Sequence, residues 1–191
     1  MLSPVTLQSY KVTLEPLNKA HLLGLLAAGQ DPQIWQWLLQ NFCASEDVLA
    51  KWFTDTAQFD ATSQLVFATT LTATGEVIGT TRFFRYDQSQ LKVEIGHTFI
   101  TPKWQRSFVN THAKYLMLKH AFEDLQLVRV ELRTHENNQK SRNAMLRIGA
   151  TFEGISRKDR RLGQGPFRNS AWFSIIDDDW AQIKTALEQQ L

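Results

Sequence analysis

Twice in its second half this chain reads as a strand-like run that passes into a helix start. The two segments are Trp104-Gln105-Arg106-Ser107-Phe108-Val109-Asn110-Thr111 and Glu136-Asn137-Asn138-Gln139-Lys140-Ser141. A strand feeding a helix brings unpaired backbone N–H groups and the positive end of the helix dipole to one point, and such points hold anions such as pyrophosphate. Two of them in one chain let a single nucleotide-like ligand lie across both.

The remaining periodicities supply the rest of that fold. Val12 to Leu14 is a short strand candidate closed by Pro16, after which Asn18 caps a helix carrying Leu22, Leu23, Leu25 and Leu26. Asp31-Pro32 and Ser45-Glu46 start two more helices, so residues 20–60 read as a helical arm whose aromatics, Trp35, Trp37, Trp52 and Phe53, belong to the core. From Leu65 the period becomes two: Leu65 to Leu71 and Val77 to Tyr86 form a hairpin around Ala73-Thr74-Gly75-Glu76. In the next strand Leu91, Val93, Ile95 and Phe99 alternate with Lys92, Glu94, Gly96 and Thr98, so Glu94 should point away from the apolar face.

Pro102 ends that strand, and Tyr115, Leu118, Phe122 and Leu125 mark an amphipathic helix over roughly 108–125. Val128, Val130 and Leu132 then alternate with Arg129, Glu131 and Arg133 in a further strand. A second helix runs from an N-cap at Asn138 to Gly149 just past its end. Strands at Thr151 to Arg157 and Ala171 to Ile176 flank the basic segment Lys158 to Arg161 and the turn Gly163-Gln164-Gly165-Pro166, and Asp177-Asp178-Asp179 caps a last helix. This order supports a mixed α/β class with a single, mostly antiparallel sheet of about six to seven strands flanked by helices.

With 191 residues, 43% of them hydrophobic, the chain can bury one core, and 1–191 is expected to form one domain. Twenty-one basic against nineteen acidic residues give +2, too near balance for broad nucleic-acid binding. Cys43 is the single cysteine, so neither an internal disulfide nor a cysteine zinc cluster is available. Residues 1–11 lack a charged region leading into an apolar block, and nowhere do about 18 apolar residues run together. The expectation is a cytoplasmic protein that uses no metal and has neither nucleic acid nor a membrane as partner.

One position on the helix from Asn138 stands out. Ser141 shares a face with Ala144, Met145 and Ile148 at helical spacing, so its hydroxyl looks inward, where it can meet a ligand or bond a local backbone carbonyl. The cations Arg157, Lys158, Arg160, Arg161 and Arg168 read as a solvated hairpin, with too few interleaved aromatics for RNA stacking.

Six segments, in order, carry a likeness: Glu94-Ile95-Gly96-His97, Pro102-Lys103-Trp104-Gln105, Val109-Asn110-Thr111-His112-Ala113-Lys114, Asn138-Gln139-Lys140-Ser141-Arg142, the run from Ile148 to Gly154, and Trp172-Phe173-Ser174-Ile175. Through them the chain resembles the GCN5-related N-acetyltransferases, and among these the ribosomal-protein amino-terminal acetyltransferases. The resemblance implies an acetyl-CoA-dependent N-acetyltransferase whose partners are acetyl-CoA and an amine acceptor, with a homodimer as one further candidate. It implies a cleft where two central parallel strands, here Val93 to Ile100 and Val128 to Thr134, splay apart. Pantetheine would pair with Phe99, Ile100 and Thr101, pyrophosphate would lie on amides of Arg106, Ser107, Phe108, Val109, Asn110 and Thr111, and Asn138 and Lys140 would approach from the other side. Ser141 falls where relatives have a serine proposed to protonate the departing thiolate; the tyrosine acid of other members is replaced by Met145.

The chain departs from the family's phosphate loop, Gln/Arg-x-x-Gly-x-Gly/Ala, in having Phe108 and Asn110 at the glycine positions, which raises the prospect of a looser phosphate site. For the base, Glu94 is favoured as lying on the strand that borders the cleft. Glu153 and Asp159 read as surface charges and His97 as a core histidine beside Val93 and Ile95. The acceptor expected is a primary amine such as a protein N-terminus. A polyamine or other small amine is the competing acceptor, and a CoA-binding sensor without turnover is the competing class.

Overall fold

A computed structural model describes residues 1–161 and 165–191. One eight-stranded sheet organises the chain, with strands β1 (Leu7–Gln8), β2 (Val12–Pro16), β3 (Leu65–Leu71), β4 (Val77–Asp87), β5 (Lys92–Ile100), β6 (Arg129–His135), β7 (Thr151–Arg161) and β8 (Phe167–Ile176). Their order is β1-β2-β3-β4-β5-β6-β8-β7. Every pairing is antiparallel except β5 with β6. The sheet exceeds the expected six to seven strands because β1, at two residues, is too short to show a period.

Five α-helices complete the fold: α1 (Leu22–Ala28), α2 (Glu46–Asp55), α3 (Val109–Lys119), α4 (Gln139–Arg147) and α5 (Asp177–Glu188). The main core lies between the sheet and α3 and α5 and includes Phe67, Phe83, Val93, Ile95, Met117, Leu132, Phe173 and Ile183. A second cluster on α1, α2 and the 3-10 turn Pro32–Trp37 gathers Leu25, Trp35, Phe42, Leu49, Trp52 and Phe99. There Phe42 stacks on Trp52 with ring centroids 4.0 Å apart and meets Trp35 edge-on at 4.8 Å. Trp35, Trp52 and the half-buried Phe53 thus anchor the arm as its sequence indicates, but Trp37, expected in the core with them, joins neither cluster: it lies half-buried against His135, 4.8 Å between ring centroids.

Several boundaries differ from the sequence reading for local reasons. The helix expected over 108–125 is α-helical only to Lys119 and ends in a π-helical turn, His120–Asp124. β7 continues through Lys158 to Arg161, because the basic residues sit in a ladder with β8, which itself begins at Phe167 rather than Ala171. Asp177, Asp178 and Asp179 occupy the first turn of α5 rather than its cap, where they still face the positive dipole end. Of the expected turn at 163–166, Gly163 and Gln164 lie outside the described residues.

Candidate active site

The parallel pairing of β5 with β6 runs only from Lys92↔Arg129 to Ile95↔Leu132. Beyond it β5 stays with β4 as far as Ile100, and β6 stays with β8 as far as His135, so the sheet opens between them. A β-bulge accompanies the opening: the register steps from Arg82↔Gly96 to Thr80↔Phe99, one residue more on β5 than on β4, and His97 sits at φ 49°. The extra residue reverses the alternation. Phe99 therefore leaves the face of Val93 and Ile95 and packs on Trp35 with ring centroids 5.1 Å apart. His97, expected beside those residues in the core, instead lines the cleft.

The cleft has a volume of about 830 Å³ and runs from the start of α3, past the open edge of β5 and the start of α4, to the arm. At its α3 end, Arg106 adopts φ 57° and Phe108 the ordinary right-handed helical φ of −62°. The backbone N–H groups of Ser107, Phe108, Asn110 and Thr111 donate to no acceptor among the described residues, whereas Val109 N–H donates to Ser107 Oγ at 3.3 Å. Phe108 needs no glycine conformation, and its ring turns away from the cleft to pack on Trp104 and His112, each at 5.7 Å between centroids. The loosening that a phenylalanine raised at this position has no steric basis here.

Of the residues expected to hold the donor, Phe99, Ile100, Arg106, Ser107, Asn110, Thr111, Asn138 and Lys140 line the cleft. Phe108 is not among the lining residues because its ring packs on Trp104 and His112, Val109 is fully buried in the core, and Thr101 is drawn away because its N–H donates to Ile78 O at 2.8 Å.

The start of α4 forms as its sequence indicates: Asn138 Oδ1 accepts from Ser141 N–H at 3.1 Å, and Gly149, at φ 91°, closes the helix against Ile183. Ser141 lines the cleft, and its hydroxyl has no hydrogen-bond partner among the described residues, so the local-carbonyl alternative does not hold.

Facing this helix start is a buried ion-pair network. Glu94, 2% exposed, accepts from Arg133 Nε at 3.1 Å and Nη2 at 2.8 Å, and Arg85 Nη1 stands 3.6 Å away. Burial raises the Glu94 carboxyl above the ordinary glutamate range, opposed by Arg133 and Arg85. Its two-pronged bond to Arg133 uses both oxygens as acceptors, as the ionised form requires. Glu94 does point away from the apolar face, but into this network rather than into water. Among the described residues it is the one carboxylate on the cleft.

The other base candidates are disposed differently. Glu153 is held outside the cleft by Arg129 at 2.6 Å and Ser174 at 2.7 Å, and Asp159 by Arg133 at 3.2 Å. His97 packs edge-on against Phe84 at 4.9 Å, and burial, then Arg82 and neighbouring arginines, push its pKa down to about 3, leaving it neutral. The basic hairpin is not uniformly solvated: Arg157 and Lys158 are exposed, but Arg160 and Arg168 turn into the cleft.

Lys114 escaped notice in the sequence. It lines the cleft fully buried, with Nζ 3.1 Å from Thr98 Oγ1 and 3.4 Å from Thr81 Oγ1, and burial lowers its pKa to about 7. Its place one turn beyond Asn110 on α3 was the available signal.

Residues 11–151 match the acetyltransferase (GNAT) domain family, most of the chain. The chain belongs to the GNAT acetyltransferases. It is therefore an acyltransferase that uses acetyl-CoA to acetylate an amine. The Bacillus subtilis protein YdaF, named provisionally as a ribosomal N-acetyltransferase, is 28% identical over 171 residues, covering 87% of this chain and 90% of YdaF. A GCN5-related N-acetyltransferase from Brucella melitensis superposes with a TM-score of 0.91 at 31% identity, over 98% of this chain and 86% of that one. At the level of fold, Mycobacterium smegmatis RimJ, whose structure holds CoA-disulfide, gives a TM-score of 0.84 at 18% identity over 98% and 95% of the two chains. The ribosomal-type likeness seen in the sequence thus finds its counterparts. The acetyl-CoA expectation accords with the unpaired amides at α3, the open edge of β5 and the free Ser141 hydroxyl.

Proposed function

We propose that this GNAT enzyme acetylates an α-amine, such as a protein N-terminus, at the end of the cleft roofed by the arm. The observation that carries the reading is the charge of the cleft. Leaving aside the buried Lys114, six cationic side chains line it, among them Arg133, Arg160 and Arg168, against Glu94 alone, so a polyamine would enter an unfavourable field.

Acetyl-CoA, when bound, supplies a thioester carbonyl open to attack by an amine. Arg106, Lys140 and the amides of Ser107, Phe108, Asn110 and Thr111 hold its phosphates, and Phe99 and Ile100 offer the strand edge. The Ser141 hydroxyl donates a proton to the departing sulfur. The chain needs only a modest base, because an α-ammonium titrates near ~8 against ~10.4 for a lysine side chain, and a cationic surround lowers that value further. Glu94 receives the proton: each of its oxygens keeps a lone pair beyond its bond to Arg133, and burial raises its basicity.

The test is thiol release from acetyl-CoA against a panel of short peptides with free N-termini and a panel of polyamines. The reading expects release with peptides. Release with polyamines alone would transfer the site to the competing acceptor class, and acetyl-CoA binding without release on either panel would favour the sensor.

A further inference from the structure

Where β7 and β8 pair, two arginines stand directly opposite one another, Arg160↔Arg168. Like charges in that position, with Cβ atoms about 4.5–5.5 Å apart, destabilise a sheet. Arg168 is 8% exposed; its Nη1 donates to Trp37 O at 3.1 Å, and its Nε is buried with no partner among the described residues. Arg82, 7% exposed, likewise has a partnerless Nε and among the described residues hydrogen-bonds only Gln64, at 3.1 Å through Nη1. Both lie near His97 together with Arg133 and Arg160.

The carboxylates at hand do not balance this group. Glu94 is taken by Arg133 and Arg85, and Asp159 is shared, 3.2 Å from Arg133 and 3.8 Å from Arg160. Arg160 and Arg168 both line the cleft, at the end roofed by Gln33, Gln36 and Trp37. A buried guanidinium is costly to leave unpaired and binds a planar carboxylate through two parallel N–H···O bonds.

We infer that the amine acceptor carries a carboxylate close to its reacting nitrogen, and that Arg160 and Arg168 hold that carboxylate at the arm end of the cleft. The inference rests on the acetyl-transfer reading above and adds the chemical class of the acceptor. Two sources share the chemistry: an acidic side chain just after a peptide N-terminus, and the α-carboxylate of a free amino acid.

The test pairs thiol release with equilibrium binding to the CoA-loaded protein. Amidated tetrapeptides beginning Ser-Asp, Ser-Ala and Ser-Lys are compared, as are serine and serinamide. The expected result is at least a tenfold higher kcat/KM and tighter binding for the carboxylate member of one set, weakening as salt is raised. The set that shows it identifies the source. Arg160, with 22% of its side chain exposed, is the residue to change. Arg160→Gln collapses the preference with the acetyl-CoA Kd unchanged, and Arg160→Lys, keeping charge without the fork, restores part of it. Selective binding of the acidic member that depends on Arg160, without thiol release, supports the anion site and counts against the transfer reading alone. Equal binding and turnover of acidic and neutral members, a preference that survives Arg160→Gln, or a preference for Ser-Lys would each overturn the inference.

Discussion

At the scale of single residues, Ser141 and Lys114 make separable predictions. Ser141 is fixed by the Asn138 cap through its backbone, so its hydroxyl is free to act and its removal leaves the helix intact. Ser141→Ala should lower kcat by about 10²-fold or more, the range of a lost proton donor, with acetyl-CoA affinity unchanged in a calorimetric titration. Unchanged turnover would remove it from the mechanism.

Lys114 has a folded pKa of about 7, below its unfolded value near ~10.4. Between these values the unfolded chain binds a proton that the folded one does not. Stability therefore rises with pH from about 7 to about 10, by up to ~1.4 kcal/mol per unit, and the penalty of burying the charge is complete below about 7. Lys114→Met should flatten that rise in denaturant titrations repeated across pH; a variant that keeps the wild-type slope would place the lysine in water.

At the scale of elements, the start of α4 and the bulge in β5 define the cleft. Asn138→Ala removes the cap from Ser141 N–H and should cost about 1 kcal/mol, a fall in Tm of about 2–4 °C for a chain of this size, together with a drop in kcat as Ser141 loses its support. A fall in Tm with full activity would separate the cap from the chemistry.

Both elements also show what a sequence discloses. Asn138, Gly149 and the apolar face of α4 act through local spacing and are legible. The bulge is not, because one inserted residue turns on the pairing between Thr80, Arg82 and β5. That insertion carried His97 from the expected core to the cleft and Phe99 to the opposite side of the sheet. Phe108 raises a related point: the glycine pattern describes a loop conformation, whereas this chain keeps an ordinary helical φ at that position.

For the whole molecule, the Glu94–Arg133 pair ties β5 to β6 just where their ladder ends, with side chains 2% and 3% exposed. Removing one partner of a buried pair typically costs about 3–5 kcal/mol, so Glu94→Ala should destabilise the fold by several kcal/mol in chemical denaturation, and Glu94→Gln by less. If Glu94→Ala were as stable as wild type, the carboxylate would have no part in holding the sheet. Alternation placed Glu94 off the apolar face, but the partner that buries it comes from β6, some forty residues on, and the charges that Arg160 and Arg168 bring to the arm come from β7 and β8, further along still. Such long-range pairing decides the electrostatics of the cleft, which composition, at +2 overall, does not display.

The most direct test of the account is a calorimetric titration of the protein with acetyl-CoA. The unpaired amides at α3, the open edge of β5 and the free Ser141 hydroxyl predict a single site of micromolar affinity. No binding at near-millimolar acetyl-CoA would contradict the assignment of this cleft.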